Sequence, residues 1–511
     1  MKLKRIDTLK EKKIPIIITA IWGVWAIFFG LKFIEENYSI GLLNIYTGEI
    51  SSLGQSIALV IACSMALIVI WGVVNFVYAS ITEKGKEREI CICLLPILVL
   101  LVAYLLADVM GASTIKTYYV GDEKNIWDSA VRLYPFMFVY SGQLFLTCFF
   151  VLPMYLAPSI VKICFVSYTV GYTIWRVKKS YHNYAFLLYI FFASKPFLEM
   201  GIRVHRMHWY GILYLLIAIK LYFDSKEKSI INMKYLIILA FGLSVLTIWR
   251  REGIYLVVWG LVLLVLVYGV KMHNQGDFFA FGGEIKRIII VFIMTELLVC
   301  LPELVYEKTL TSSLRDGDVV YQAFLVHMLD RPSFDRIKCE GELAAIDRYL
   351  DIEVIDRYNA ECVEKYNDCY WAWSWYKEGM YYAPTGNWSL EGFEVVKKEV
   401  VSIVKKQPIV FLESRIIAFG MAARNSGYNL FLPLLITMIV SVWGICKKEY
   451  VMAVLALGVL GHAILTALLM PASYFKYFFQ LYLFGYVFGF VLLLEFIMKN
   501  KPNVNSFEEV V

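Results

Sequence analysis

The chain has 511 residues, of which 59% are hydrophobic, 16% aromatic and only 18% charged. One soluble core cannot bury that much apolar surface, so the composition excludes a soluble globular enzyme and predicts an all-α protein that crosses a membrane many times. The net charge of +6 is assigned to the cytoplasmic membrane face, and nucleic acid is not an expected partner.

Apolar runs of roughly 20 residues, the length that one helix needs to cross a bilayer, recur along the chain. The basic start MKLKRIDTLKEKK precedes a first run that is long enough to remain in the membrane. Twelve membrane spans are therefore predicted. They cover residues 15–34, 56–79, 90–110, 155–175, 182–200, 208–223, 234–249, 254–270, 288–303, 429–446, 449–470 and 478–498.

Basic residues fall on alternate sides of these spans, in KEKK, EKGKER, RVKKS, DSKEKS, GGEIKR, CKKE and MKNK. The positive-inside rule then places both termini in the cytoplasm and the loops 111–135 and 304–428 outside. The apolar segment 136–150 is expected to lie in the outer interface or to re-enter it, because a second crossing there would put WRVKK outside.

Three regions follow from this topology. The first is an N-terminal membrane region, residues 1–303, with the acidic loop and the interfacial helix. The second is the large extracytoplasmic loop, and the third is a C-terminal membrane region with a short cytoplasmic tail, residues 429–511.

The acidic outer loop, KTYYVGDEKNIWDSAVRLYP, carries Asp122, Glu123 and Asp128 at the border of the membrane. A carboxylate at that position suits a general base that takes a proton from an acceptor hydroxyl. It also suits the coordination of a divalent cation beside a phosphate, and that cation is the one cofactor considered for this chain. An ordinary solvated turn is the alternative. Asp122 and Glu123 are the candidate catalytic residues.

Cations occur in three short outer loops, where the charge rule disfavours them. The candidate residues are His205 and Arg206 in GIRVHRMHW, Arg250 and Arg251 in WRREG, and Lys476 in MPASYFKYF. Each loop by itself can anchor lipid headgroups. Their recurrence favours a phosphate-binding ring, because guanidinium groups bind phosphate oxygens in bidentate fashion.

The large outer loop is too long for a simple connector. Its first half has apolar residues at helical spacing and predicts soluble amphipathic helices. Its second half is rich in aromatic residues, which suit stacking on sugar rings or polyprenyl chains, or an aromatic belt at the bilayer surface. The candidates for stacking are Trp371, Trp373, Trp375, Tyr381 and Trp388.

Several classes of chemistry lack their motifs in this sequence. It contains no Walker loop, dinucleotide fingerprint, Gly-x-Ser-x-Gly elbow or thiolate-rich metal motif. No cytoplasmic domain is predicted, so ATP-driven transport has no place in this interpretation. Within the predicted spans, Glu296 and His462 are the notable ionisable residues, for which helix packing and a cavity lining both remain open.

Five features occur in order along the chain: the acidic pair GDE, YP at the start of the interfacial helix, RREGIYLV, a long outer loop, and PASYFKY before the last span. Together they resemble the GT-C superfamily of integral-membrane glycosyltransferases. That superfamily is related to protein O-mannosyltransferases and to bacterial enzymes that use polyprenyl-phosphate sugars. The resemblance covers most of the chain from about residue 90 onward.

The resemblance implies a GT-C-like fold and an inverting transfer from a polyprenyl-phosphate-linked sugar to a glycan, lipid or protein acceptor of the cell envelope. It places the reaction on the outer face of a bacterial plasma membrane. By position, Asp122 would be the base and Glu123 its neighbour. The cations that would stabilise the departing phosphate are Arg206, Arg250, Arg251 and Lys476.

Two other functions remain open. An outer-face polysaccharide polymerase or ligase would share the spans and the outer cations but depend little on Asp122. A lipid-linked sugar flippase or other transporter predicts repeat symmetry, broken helices and charges near the middle of the bilayer.

Overall fold

A computed structural model of the chain describes residues 13–38, 52–111, 122–133, 139–227, 233–249, 251–275, 281–309, 318–365, 385, 390–424, 428–470 and 473–499. These residues are almost entirely helical, and none of them lies in a β-strand. Seven described helical segments are long and apolar enough to cross a membrane. The prediction of a multi-pass helical membrane protein is therefore confirmed, and the count of twelve spans stays a prediction.

The seven segments are Lys13–Ile34, Gln55–Thr82, Lys86–Val109, Ala157–Phe192, Gly253–His273, Tyr450–Leu469 and Phe475–Met498. Shorter apolar helices among the described residues are Ser141–Val151, Met233–Trp249, Val320–Leu329 and Phe431–Cys446.

The chain divides into two compact units. The first consists of Met1–Thr311, Lys448–Met452 and Tyr486–Val511, and the second of Ser312–Lys447 and Ala453–Gly485. In chain order, the helices up to residue 309 are α1 (Lys13–Tyr38), α2 (Ser52–Thr82), α3 (Lys86–Val109), α4 (Asp122–Val131), α5 (Val139–Val151), α6 (Ala157–Tyr181), α7 (Leu188–Phe192), α8 (Lys195–Ile202), α9 (Arg206–Lys226), α10 (Met233–Trp249), α11 (Leu256–Gln275) and α12 (Phe281–Thr309).

The remaining helices are α13 (Asp318–Leu329), α14 (Glu340–Asp347), α15 (Ile352–Lys365), α16 (Leu390–Lys406), α17 (Pro408–Arg424), α18 (Phe431–Cys446), α19 (Tyr450–Leu469) and α20 (Phe479–Lys499). Short 3₁₀ turns precede α7, α11, α14 and α20, at His182–Leu187, Arg251–Tyr255, Ile337–Cys339 and Phe475–Phe478.

Helices α3 and α6 pack closely and in opposite directions. Gly171 of α6 allows this approach, because a Cβ atom there would lie 2.6 Å from the Cβ of Leu94. The indole nitrogen of Trp175, near the end of α6, donates a 2.7 Å hydrogen bond to Glu89 in the first turn of α3. The end of α6 therefore lies beside the beginning of α3.

Helices α6 and α9 run in the same direction. Lys162, early in α6, bonds to backbone carbonyls just ahead of α9, and Arg176, late in α6, pairs with Asp224, late in α9. The segment between them, residues 182–202, returns along the bundle through the 3₁₀ turn, α7 and α8 rather than through one continuous helix. We name the two ends of this bundle the Glu123 end and the Asp224 end.

Helix α10 runs back from the Asp224 end to the Glu123 end. Near its start, the hydroxyl of Tyr235 donates a 2.6 Å hydrogen bond to Asp224. At its last residue, the indole nitrogen of Trp249 donates to the carbonyl oxygen of Arg206 at 3.0 Å. The chain therefore returns to the start of α9.

Helix α5 corresponds to the segment predicted to lie in the outer interface. From Ser141 onward most of its side chains are buried, in a core formed with α1, α2 and α4. The indole of Trp22 in α1 donates to the carbonyl of Val151, and the amide of Gln143 donates to the carbonyl of Ala58 in α2. A helix covered in this way is a buried element of the first unit, and its depth in a membrane stays a prediction.

The second unit contains the segment for which the sequence predicts soluble amphipathic helices. The apolar faces of α13, α14 and α16 meet in one core that includes Phe324, Leu343, Val396 and Ile403. Most charged residues of α14 and α16 remain outside this core, as the helical spacing of the apolar residues requires. Glu342 lies at the edge of the core. It accepts a hydrogen bond from Ser402 and forms an ion pair with Lys406 at 2.5 Å.

Candidate functional site

The Glu123 end of the first unit carries a buried carboxylate that faces two basic side chains. Glu123 in α4 is only 1% exposed. Its Oε1 lies 3.4 Å from Nε2 of His205 and 3.9 Å from Nη1 of Arg206. The structure thus brings together one residue of the predicted acidic pair and two of the predicted phosphate-binding cations.

The position of Glu123 follows from the helical spacing of α4. Ile126, Trp127 and Ala130 are buried at 0–3% exposure, and Glu123 precedes them at the spacing i, i+3, i+4, i+7. Residues at that spacing lie on one face of a helix. The carboxylate therefore occupies a position on the core-facing side of α4, where it needs polar partners.

His205 reaches Glu123 because it begins α9. Its Nδ1 accepts a 3.1 Å hydrogen bond from the backbone N–H of Met207, so it acts as the N-cap of the helix. A ring nitrogen that accepts carries no proton, which places the proton of the neutral imidazole on Nε2. The N–H that faces Glu123 is therefore fixed by the start of α9.

Lys162 in α6 is a component of this end that the sequence analysis did not single out. The residue is fully buried, and its Nζ donates to the carbonyl of Met200 at 2.5 Å and to the carbonyl of Arg203. It thereby fixes the segment that leads into His205. The sequence signal that could have identified Lys162 is a lysine inside the apolar run APSIVKICF, because a buried cation requires specific partners.

Further charged residues lie in the same part of the chain. Glu199 in α8 is 5% exposed and lies 3.6 Å from the exposed Lys195. The ring of His208 lies 5.3 Å from the ring of His205, and its Nδ1 is 3.4 Å from the carbonyl oxygen of Arg203. This end of the bundle therefore mixes buried acidic and basic groups.

The other predicted residues of the first unit are only partly described. Asp122 is the first residue of α4, and its side chain lies outside the described residues, as does all of Arg250. Arg251 begins a 3₁₀ turn, and its side chain is likewise outside them. Asp128, also in α4, is half-buried, and burial raises the pKa of its carboxyl while the charges of Arg132 and Lys124 oppose that shift.

The remaining predicted residues belong to the second unit or to undescribed chain. Lys476 lies in a 3₁₀ turn with its Nζ 4.6 Å from the ring centroid of Tyr474 and 5.6 Å from that of Tyr477. The candidates for sugar or lipid stacking all lie outside the described residues: Trp371, Trp373, Trp375, Tyr381 and Trp388.

The immediate surroundings of Glu123 do not favour a metal ion. Within the described part of the chain, no three His, Cys, Asp or Glu side chains are grouped closely enough to hold one. Nitrogens of His205 and Arg206 lie within 4.0 Å of Glu123 Oε1, and the guanidinium of Arg206 suits an anionic ligand better than a second cation.

The Asp224 end carries a second charged cluster with much shorter contacts. Arg176 lies 2.6 Å from Asp224 and 2.8 Å from Glu227, which also binds Lys179 at 2.9 Å. Burial opposes ionisation of Glu227, but its hydrogen bonds and charge contacts with Lys179 and Arg176 outweigh burial and lower its pKa.

A buried carboxylate of α20 joins the same region of the first unit. Oε1 of Glu495 accepts hydrogen bonds from the hydroxyl of Tyr181 at 3.0 Å, the hydroxyl of Tyr222 at 2.5 Å and the Nζ of Lys226 at 2.6 Å. Such contacts tie three helices together. The Asp224 end therefore has the character of a structural ion-pair network.

The fold and this cluster define a multi-pass helical membrane protein with a buried carboxylate, imidazole and guanidinium at one end of a helical bundle. Comparison with known protein families, with curated proteins and with solved structures finds no match to this chain.

Proposed function

We propose that the protein is a membrane glycosyltransferase that moves a hexosyl or pentosyl unit from a polyprenyl-phosphate donor to a cell-envelope acceptor. The observation that carries this proposal is the placement of Glu123 beside His205 and Arg206. A sugar transferase that uses a lipid-phosphate donor needs a carboxylate for the acceptor and cations for the leaving phosphate, and both kinds of group meet here.

The separations in this cluster suit exchange of partners. An Arg–carboxylate pair at 3.9 Å is longer than a charge-assisted hydrogen bond, which measures about 2.7–2.9 Å. A donor phosphate that binds Arg206 and the Nε2–H of His205 replaces Glu123 as their acceptor. The freed carboxylate is then available to an acceptor hydroxyl.

The proposed reaction is a single displacement. Glu123 takes the proton of the acceptor hydroxyl, whose oxygen attacks the anomeric carbon from the side opposite the phosphate. The bond from the anomeric carbon to the phosphate oxygen breaks with its electrons, and the polyprenyl phosphate leaves as an anion beside Arg206. The anomeric configuration is inverted. Asp122 remains the alternative base of the same loop.

Several finer features belong to the same proposal. They are a GT-C-like fold with about twelve spans, cytoplasmic termini, a Glu123 end that faces outward, and location in a bacterial plasma membrane. The acceptor is a glycan, lipid or protein of the envelope. The Arg206 guanidinium supplies the positive charge beside Glu123, so the proposal includes no divalent cation.

A transfer assay tests the proposal directly. The purified full chain in nanodiscs is supplied with a panel of radiolabelled polyprenyl-phosphate sugars and with envelope acceptors. Glu123→Gln is expected to reduce transfer by about 100- to 10,000-fold, the usual contribution of a general base. Asp122→Asn is run in parallel, and Asp128→Asn, on the same helix, is the matched control that retains transfer.

The outcomes separate the residues and the function classes. Loss of transfer in Glu123→Gln alone identifies Glu123 as the base, and loss in Asp122→Asn alone transfers that role to Asp122. Full transfer in both variants would contradict the proposed mechanism and favour the polymerase or ligase. Absence of transfer from every donor would contradict the function itself.

One observation favours a transporter of lipid-linked sugars as the second candidate. Residues 182–202 return along the bundle through a 3₁₀ turn and two short helices, and broken helices of this kind are typical of transporters. Movement of a fluorescent polyprenyl-phosphate sugar between the leaflets of proteoliposomes, without any transfer of sugar, would support this candidate.

A further inference from the structure

The second unit contains a fully buried arginine outside every predicted site. Arg415 lies in the middle of α17 and is 2% exposed. It is among the largest fully buried side chains of the described residues. A guanidinium is charged at any physiological pH and is rarely buried without a counter-ion.

The described partners of Arg415 are all neutral. Nη1 donates to the carbonyl oxygen of Met470 at 2.9 Å, and Nε lies 3.3 Å from the hydroxyl oxygen of Ser414. The guanidinium carbon lies 5.1 Å and 5.7 Å from the ring centroids of Phe324 and Phe411. No carboxylate of the described residues lies within 4.0 Å of it.

Burial lowers the pKa of Arg415 to about 9. The guanidinium therefore keeps its positive charge at neutral pH. Aromatic faces and a carbonyl oxygen lower the cost of that charge, but they do not neutralise it.

Three buried hydrogen-bonding groups of the second unit have no partner among the described residues. They are Nη2 of Arg415, the hydroxyl of Thr466 and the hydroxyl of Ser473, and all three atoms are buried. A helical threonine ordinarily donates to a carbonyl three or four residues earlier. The absence of any such bond at Thr466 is therefore informative.

The two hydroxyl-bearing residues bracket the carbonyl that Arg415 holds. Thr466 lies one helical turn before Met470, whose backbone N–H donates to the carbonyl of Thr466 at 2.8 Å. Ser473 follows Met470 by three residues, at most about 11 Å of extended chain. The rings of Phe419 and Phe478 are 5.0 Å apart, so the chain lies beside α17 at residue 478.

A structural role accounts for only part of this arrangement. Met470 directly follows α19, so the bond from Nη1 places a positive charge at the carboxyl end of that helix, where it is favourable. That role employs Nη1 alone. It leaves Nη2 and the two hydroxyls without acceptors, although all three are donors in an interior that is costly to polar groups.

We infer that Arg415, Thr466 and Ser473 form an anion-binding site for a phosphate group. Nη2 and the two hydroxyls donate to separate phosphate oxygens, and the negative charge of the phosphate neutralises the buried guanidinium. Three donors on different elements match a tetrahedral group with several oxygens better than a planar carboxylate. The phosphate is either inorganic phosphate or the head of a lipid phosphate.

This site goes beyond the proposed function. It lies entirely within the second unit and involves none of the residues around Glu123. The sequence analysis named Lys476 as the phosphate-binding candidate of the loop MPASYFKYF, and Lys476 is not part of this site.

Equilibrium binding to the full chain in detergent micelles tests the inference. The probes are radiolabelled inorganic phosphate and radiolabelled farnesyl phosphate, with farnesol as the uncharged lipid control. Ser473→Ala and Thr466→Val, which remove only a hydroxyl, are each expected to weaken binding about three- to tenfold. Arg415→Lys keeps a charge but loses Nη2, and is expected to weaken binding by about tenfold or more.

Arg424→Lys is the matched control, since Arg424 lies in the last turn of the same helix and is exposed. It should bind both probes as the native chain does. A thermal denaturation midpoint recorded for each variant shows that it is folded, and the two hydroxyl variants keep the test valid if Arg415→Lys is unstable.

Saturable binding of inorganic phosphate that the three variants weaken supports the site and a free anion as its ligand. Saturable binding of farnesyl phosphate alone supports the site and a lipid phosphate. No saturable binding of either probe overturns the inference. Equal binding of farnesol and farnesyl phosphate, or unchanged binding in the variants, overturns it as well.

Discussion

The two ends of the first unit both carry acidic and basic side chains, but these side chains contact one another at different distances. At the Asp224 end, the contacts of Arg176 with Asp224 and Glu227 measure 2.6 and 2.8 Å. At the Glu123 end, the corresponding contacts to His205 and Arg206 measure 3.4 and 3.9 Å. Both groups of residues are mostly buried, so exposure does not distinguish them.

This difference in contact distance indicates at which end of the first unit a ligand is expected to bind. Short contacts with several donors per carboxylate describe a network whose role is to hold helices together. Longer contacts describe groups that are brought together by backbone fixed elsewhere, as Lys162 fixes the segment before His205. The proposed function accordingly uses the Glu123 end, and the short contacts of the Asp224 end suit a role in stability.

The largest expected effect on stability comes from Arg176→Met. The change leaves Asp224 buried without its closest charge partner, and removal of one member of a buried pair costs about 3–5 kcal/mol. The midpoint of chemical denaturation in micelles measures it. Transfer per folded molecule should remain close to that of the native chain. Loss of transfer with unchanged stability would contradict the division of roles between the two ends.

Lys162→Met should have an intermediate effect. It removes the donor to the carbonyls of Met200 and Arg203, and each buried group that loses its partner costs about 1–3 kcal/mol. We also expect a lower kcat for transfer, because the segment before His205 loses its support. Lys195→Met, an exposed lysine near the same segment, is the control and should change stability by less than about 1 kcal/mol.

His205 allows its two nitrogens to be tested separately, with an effect of about 1 kcal/mol on stability. His205→Asn keeps a side-chain acceptor for the N-cap of α9 and should retain stability, whereas His205→Ala loses the cap. Both variants lose the Nε2–H that faces Glu123, so both should reduce transfer. Native transfer in His205→Asn would show that only the cap matters.

The smallest expected effect is the pH dependence of Glu227→Gln. Because the folded pKa of Glu227 lies below its ordinary value, its contribution to stability is present above about pH 4.5 and disappears as the pH falls through the folded pKa. The native chain should exceed the variant by under about 1 kcal/mol at pH 7, since the side chain is one-third exposed. Denaturation midpoints between pH 7 and pH 3 test this sign. A difference that grows toward low pH would contradict it.

Part of the candidate site was accessible from the sequence. The acidic pair and the basic loop were visible as charges at the borders of apolar runs. The burial of Glu123 was visible too, because Glu123 precedes Ile126, Trp127 and Ala130 at the spacing i, i+3, i+4, i+7. Asp122 stays a prediction, since its side chain lies outside the described residues.

Other features were not accessible in this way. Lys162 was assigned to a membrane span, and only the fold shows that its ammonium group reaches the carbonyls ahead of α9. The segment 182–200 has the composition of a span, yet it forms a 3₁₀ turn and two short helices. The burial of Arg415 depends on aromatic rings of α13 and α17, which no local pattern in the sequence brings together.

The sequence by itself determined the class of this protein and its charged borders, since hydropathy is a local property. Only the tertiary structure decided which charges meet. Helices that are apolar on every side carry no periodicity that marks the face toward a neighbour. The pairing of α6 with α9, and with it the meeting of Glu123 with His205 and Arg206, follows from how such helices pack.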